Sequence, residues 1–198
     1  MKNLFVILLL ITITYNNNIM AKERTYREAI FAMGCFWCGA AAFTHHDTNE
    51  KLSGIISVTV GYTGGEMPAP TYQNHEGHKE AVKITYDPKV ISYNELLNIF
   101  WHNIDPFDAK GQFCDKGFAY SAAIFYQNEK QLSLAEKSKN KAENELGKPF
   151  VTEILPAKIF YNAEEYHQDY KIKNPVRYKY YFWRCGRAQR LNKVWENS

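Results

Sequence analysis

The chain has 198 residues, with 24 basic and 21 acidic side chains and a formal net charge of +3. At roughly 150 residues per domain this length supports one domain, large enough to bury a core without staples. The near-balanced charge, with no basic arm and no Lys/Arg tract, removes the electrostatic case for a nucleic-acid partner.

The first residues stand apart from the rest. Lys2 precedes an apolar run from Leu4 to about Tyr15, followed by a polar patch and Ala21. That is the pattern of a secretory leader, and the run is short for a membrane span. Residues 1–21 are therefore expected to be a signal peptide and 22–198 the folded domain, exported to a periplasmic or extracellular compartment. The alternative is translation from Met20, with "MAKERTYREAI" opening a cytoplasmic enzyme.

The remaining elements alternate without repeats. "REAIFAM" reads as a short strand ended by Gly34, and "CFWCGAAAFTHH" as a helix. "SGIISVTVGYTGG" is a β-branched strand running into a Gly-Gly turn, and "KEAVKITYDP" a half-buried strand stopped by Pro88. "SYNELLNIFWHNI" opens on the capping box of Ser92 and Glu95 and carries Leu96, Leu97, Phe100 and Trp101 on one face. "AAIFY" is a strand, and "NEKQLSLAEKSKNKAENELG" a solvated helix closed by Gly147. "VTEILPAKIFY" reads as a broken strand and "NAEEYHQDYKI" as a short helix capped by Asn162. The aromatic cluster "RYKYYFW" is expected in half-buried strands and core, from the usual enrichment of aromatics in sheets. No linker divides the chain, and the order predicts an α/β or α+β domain with a mixed sheet.

Chemistry concentrates in "GCFWC". If Gly34 ends a strand and a helix begins at Cys35, that thiol meets unpaired N–H groups and the positive end of the helix dipole, which would lower its pKa. Cys38 lies one turn on, where a partner thiol belongs. Two other readings compete. A zinc site would pair Cys35 and Cys38 with His75 and His78 of "HEGH", and a structural disulfide would suit an exported chain. Covalent haem is excluded, because Gly39 stands where that motif needs histidine.

"GCFWC", "GYTGG", "GHKEAV", "YDPKVISYNELLNIFW" and "GQFCDKGFAYSAAIF", in this order, resemble the methionine sulfoxide reductase A family from about Arg27 through "CGRAQRLNKVW". The resemblance implies a two-layer sandwich of ferredoxin-like type with a mixed sheet. It also implies reduction of methionine (S)-S-oxide, free or in proteins, with no cofactor beyond an external dithiol reductant of thioredoxin-like type, and no membrane span. The chain is expected to act as a monomer. By resemblance Cys35 is the nucleophile, Glu80 the acid, and Tyr72 and Tyr120 the hydrogen-bond donors to the sulfoxide oxygen. Phe36 and Trp37 form an apolar wall for the methyl group, and Asp115 belongs to the polar surround of the substrate. A carboxyl can donate a proton at neutral pH only from a desolvated site.

After turnover Cys35 is expected as a sulfenic acid, which a second thiol converts to a disulfide. Cys38 is the first candidate for that thiol. Cys185, in a polar and basic tail expected to be mobile, is the second. Cys114, beside the negative charge of Asp115, is last, and a relay through both Cys38 and Cys185 stays open. The chain departs from many relatives at Ala40, where they carry glutamate, and at Ser121, where they carry arginine. The stretch between Tyr72 and Gly77 is also shorter than in many of them. A general thiol–disulfide oxidoreductase would use the same cysteines without needing Glu80 or the tyrosines.

Overall fold

The computed structural model describes residues 25–45 and 48–195. The expected leader, residues 1–21, lies outside them. In chain order the elements are β1 (Arg27–Ala32), α1 (Phe36–Ala41), β2 (Ile55–Thr63), β3 (Lys79–Tyr86), α2 (Tyr93–Trp101), β4 (Gly111–Gln112) and β5 (Asp115–Lys116). They continue with β6 (Ala123–Tyr126), α3 (Glu129–Leu146), β7 (Glu153–Pro156), β8 (Tyr161–Asn162), α4 (Tyr170–Lys173), α5 (Pro175–Arg184) and α6 (Arg187–Trp195).

Six strands form one sheet in the order β7-β6-β1-β3-β2-β8. The β6–β7 pair is parallel and the other pairs are antiparallel, so the sheet is mixed. Its inner four strands, β6-β1-β3-β2, with α1 after β1 and α2 after β3, have the ferredoxin-like β-α-β-β-α-β arrangement;. Alternation along β1 divides the two faces. Ala29 and Phe31 join the main core with Val82 and Ile84 of β3, whereas Ile30 and Ala32 pack on the other face with Ala81 and Phe125.

The helices cover the first of these faces. The α2 capping box forms as expected: Glu95 N–H donates to Ser92 Oγ at 3.2 Å and Ser92 N–H to Glu95 Oε2 at 2.8 Å. Beyond it Leu96, Leu97, Phe100 and Trp101 are buried, each such side chain stabilising the fold by about 1.5–3 kcal/mol. Trp101 Nε1–H donates to Ser138 Oγ of α3 at 2.9 Å, satisfying the polar edge of a buried ring;.

The C-terminal third differs from the sequence reading. "RYKYYFW" is helical: Pro175 occupies the first turn of α5, and the rings of Tyr178 and Phe182 meet at a tilt along one face. Spacing by four therefore outweighs the strand preference of the individual aromatics. Asn162 is not a helix cap but pairs in β8 with Gly61. The next segment makes a 3-10 turn at 165–167, and α4 follows Asp169, whose φ is +54°. Cys185 is not in a loose tail either. It caps α5, and Arg187 at the start of α6 is 3% exposed.

Candidate active site

The site is built on the turn after β1. Gly34 has φ +79°, and a Cβ there would come within 2.5 Å of Gln112 Cβ, so only glycine fits both the backbone and the space. Gln112 cannot give way: it is fully buried and holds Asp105 by two hydrogen bonds, accepting from its N–H at 2.8 Å and donating to its carbonyl at 2.9 Å. The turn places Cys35 at the cap of α1, where its carbonyl accepts the N–H groups of Cys38 at 3.1 Å and Gly39 at 3.0 Å.

Glu80 enters from β3, opposite Tyr62 of β2, and is 2% exposed. Its Oε2 accepts the N–H of Phe36 at 2.9 Å. Burial pushes its pKa up to about 8, the Phe36 hydrogen bond opposing only in part, so it is a neutral acid at pH 7. The cleft that Glu80 shares with Cys35 has a volume of about 50 Å³. It is lined by Cys35, Phe36, Trp37, Tyr72, Glu80, Asp115, Tyr120 and Tyr181. All seven residues expected at the reacting centre therefore meet there, joined by Tyr181, which the sequence reading had not singled out. Burial raises the phenols of Tyr72, Tyr120 and Tyr181, which stay O–H donors at neutral pH.

The apolar wall is locked in place by residues from the C-terminal third. Trp37 stacks on Tyr170 with ring centroids 3.7 Å apart, meets Tyr181 edge-on, and donates Nε1–H to His167 Nδ1 at 3.0 Å. Burial lowers the His167 pKa, keeping the neutral ring that this acceptor role requires. Phe36 packs against His167 and Tyr62. Glu164 accepts the Tyr72 N–H at 2.9 Å and the Tyr62 O–H at 3.0 Å, fixing the rim. Tyr181 donates its O–H to Asp115. None of His167, Glu164, Tyr170 or Tyr181 carries a local sequence signal. For Tyr181 the helical spacing to Cys185 is the only hint.

The ionisation of the thiols reverses the helix-start expectation. Burial, and next a hydrogen bond with Cys38, push the Cys35 thiol well up. A helix of six residues ending in a sealed pocket supplies too little field to overcome that desolvation;. Cys38 is lowered instead. The hydrogen bond from Cys35 is the main cause, aided by Arg187 and Tyr178 and opposed by burial and Asp115. The pair thus ionises first at Cys38, with Cys35 donating to it.

Cys114 and Cys185 are joined by a disulfide, with Cα atoms 4.8 Å apart and a sequence separation of 71, while Cys35 and Cys38 are free. Neither cysteine of the first pair reaches zinc geometry with the histidines. His75 Nδ1 bonds the Thr71 carbonyl at 3.0 Å, and His78 spends its ring on Met67 O and Gly65 N. Among the described residues the one converging set of possible ligands is Cys114, Asp115 and Cys185, and its sulfurs are bonded to each other. Beside Ser121, buried Lys79 bonds Ser121 Oγ, pairs with Glu153 at 3.2 Å and lies 4.1 Å over the Phe118 ring. No helix among the described residues is long and apolar enough to cross a membrane.

Comparison with known proteins places this geometry. The family model of peptide methionine sulfoxide reductase matches residues 27–198. A peptide methionine sulfoxide reductase MsrA from Ligilactobacillus salivarius is 51% identical over 173 residues, covering 84% of this chain and 96% of that protein. Among solved structures, reduced Mxr1 from Saccharomyces cerevisiae aligns with a TM-score of 0.68 and 30% identity over 76% of this chain and 87% of that one. Mxr1 in complex with Trx2 aligns with a TM-score of 0.52 and 25% identity, covering 78% of this chain and 91% of that one. With the family model matched over residues 27–198 and relatives matched over most of their own length, the chain belongs to the peptide methionine sulfoxide reductase family.

Proposed function

We propose that this protein reduces methionine (S)-S-oxide, free or within peptides, to methionine. The observation that carries the reading is the neutral Glu80, tied at 2.9 Å to the amide of the residue next to Cys35 in the same cleft. A sulfoxide is a weak electrophile with a poor leaving oxygen, so attack by a thiolate needs simultaneous protonation of that oxygen.

Phe36 and Trp37 receive the methyl group, through favourable contacts with carbon bound to sulfur. Tyr72 and Tyr120 donate hydrogen bonds to the oxygen, and Asp115 completes the polar surround. Cys35 passes its proton to Cys38 and attacks sulfur while Glu80 protonates the oxygen. The oxygen passes from the methionine sulfur to Cys35 Sγ: its bond to methionine breaks as the new Cys35 S–O bond forms. The S–S bond reopens with its electron pair on methionine, and methionine leaves with Cys35 as a sulfenic acid. Cys38 then displaces the oxygen as water and the Cys35–Cys38 disulfide forms. Cys38 takes this role because it adjoins Cys35, whereas Cys185 is engaged with Cys114.

An external thioredoxin-like dithiol resets the enzyme, and no bound cofactor is required. The Mxr1 relative captured with Trx2 supports that class of partner. The leader pattern supports an exported enzyme, met by a dithiol of the same compartment.

The test is incubation of the purified chain with racemic methionine sulfoxide and dithiothreitol, followed by chiral chromatography. Loss of the S epimer alone is expected. Turnover of neither epimer, with efficient reduction of insulin, would instead identify a general thiol–disulfide oxidoreductase.

A further inference from the structure

The two thiols of the "CFWC" turn face different spaces. Cys35 lines the small cleft with Glu80 and the tyrosines. Cys38 lines a separate cavity of about 480 Å³, walled by Tyr178 and Phe182 of α5 and by Lys171, Lys179 and Arg187. That volume falls within the roughly 300–1,000 Å³ range of small-molecule sites, and the mechanism above leaves the space unused. Its described lining residues include three cations and no carboxylate. Arg187 is fixed there: its guanidinium donates to the carbonyls of Met33 and Asn103 and lies 4.3 Å over the Phe113 ring. A cationic, partly aromatic cavity with a sulfur in its wall suits an anion that reacts with sulfur.

We propose that this cavity admits a small thiol bearing a carboxylate, which reduces the Cys35–Cys38 disulfide by attacking the Cys38 sulfur. The proposal rests on the reaction argued above. The incoming thiolate forms a bond to Cys38 Sγ, the Cys35–Cys38 bond breaks, and its electron pair leaves on Cys35. A second thiolate attacks the thiol-derived sulfur of the mixed disulfide and leaves Cys38 as thiolate. The two small thiols depart joined as their disulfide, and the dithiol is restored with electrons balanced. Attack from this side returns Cys35 directly to the cleft where it reacts. Both sulfurs are nearly buried, but Cys38 borders about 480 Å³ of space where Cys35 borders about 50 Å³.

The experiment uses the full chain, oxidised with one equivalent of methionine sulfoxide, the methionine released being measured separately. 3-Mercaptopropionate and 2-mercaptoethanol are then compared at equal thiolate concentration, with the state of the Cys35–Cys38 pair read by alkylation and peptide mass. 3-Mercaptopropionate is expected to react about tenfold faster, as electrostatic focusing allows. The advantage should vanish in about 1 M salt, where screening acts within about 3 Å. It should vanish also in Lys179→Glu, an exposed position, with methionine release in the first turnover unchanged. The transient adduct should map to Cys38.

Equal rates for the two thiols, an adduct on Cys35, or a preference that survives Lys179→Glu would overturn the proposal. So would reduction by a protein dithiol alone with no preference among small thiols. If no methionine is released, the proposed reaction fails. The same comparison on the disulfide made with diamide then still decides the cavity.

Discussion

The protein carries two cysteine pairs that differ in every physical respect. Cys35 and Cys38 are three residues apart, buried and reduced, and share a hydrogen bond. Cys114 and Cys185 are 71 residues apart and disulfide-bonded, with Cys114 exposed. Burial raises the Cys35 thiol pKa, and the thiol lines the cleft that holds Glu80. The exposed pair closes a long loop and ties the end of α5 to the β4–β5 hairpin, and that hairpin carries Asp115 into the cleft. Tyr181, one helical turn before Cys185, bonds that same aspartate. The reaction proposed above is assigned to the buried pair, while the exposed disulfide ties the C-terminal wall of the cleft to the hairpin that carries Asp115.

Cys35→Ser breaks the comparison most completely. The loss of sulfoxide reduction should be about 10⁴- to 10⁶-fold, the scale of removing a nucleophile, with the second disulfide intact by peptide mapping. Cys185→Ser acts on the other side. Opening a loop of 71 residues should cost up to about 4 kcal/mol of stability on the chain-entropy account, read as a lower denaturant midpoint. Methionine release in the first turnover should survive under conditions where the variant is folded. Absence of the Cys35–Cys38 disulfide after that turnover in folded Cys185→Ser, with Cys35 left as a sulfenic acid, would make Cys185 the resolving or relaying thiol.

Glu80→Gln should lower kcat by about 10²- to 10³-fold, as expected for a lost general acid. The wild-type rate should fall as pH rises through about 8, where Glu80 ionises, and the variant should lack that limb. The stability consequence has a definite sign. A carboxyl whose pKa is raised in the folded state binds more protons there than when unfolded, so between its ordinary value and about 8 stability declines with pH;. Glu80→Gln should therefore lose less stability than wild type between pH 6 and pH 9 in thermal melts run at about those two values. A wild-type profile flat through pH 8 would remove Glu80 as the acid.

Legibility in the sequence followed the range of the interaction. Capping at Ser92 and Glu95, alternation in β1 and β3, and the glycine turn before Cys35 are set by near neighbours, and they were visible. The cleft residues were visible because the motifs "GCFW" and "GHKE" are specific, not because any side chain announced its role. What stayed hidden depends on long-range contact. The aromatic cluster of α5 looked like strand by composition and became helix by packing. His167 and Glu164 act by holding Trp37 and Tyr72, across 130 and 92 residues of chain. Desolvation of Cys35 is likewise a property of the closed pocket, so the helix-start argument gave the wrong direction. The pairing of Cys114 with Cys185 was not readable either, because only α5 brings the second sulfur back to the hairpin.

The smallest expected effects come from the two phenols, and they sharpen the division of labour within the cleft. Tyr72 stands at the rim, 37% exposed, and Tyr120 is half-buried. If each donates one hydrogen bond to the oxygen while Glu80 supplies the proton, removing a hydroxyl forfeits about 0.5–1.5 kcal/mol. Tyr72→Phe should then lose about threefold in kcat and Tyr120→Phe about tenfold, the deeper donor being worth more where water cannot replace it. Single-turnover kinetics on methionine (S)-S-oxide measure both. A loss in either variant as large as in Glu80→Gln, together with disappearance of the alkaline limb, would move the acid from the carboxyl to that phenol. Losses confined to the modest range leave the buried carboxyl as the group that makes the oxygen a leaving group.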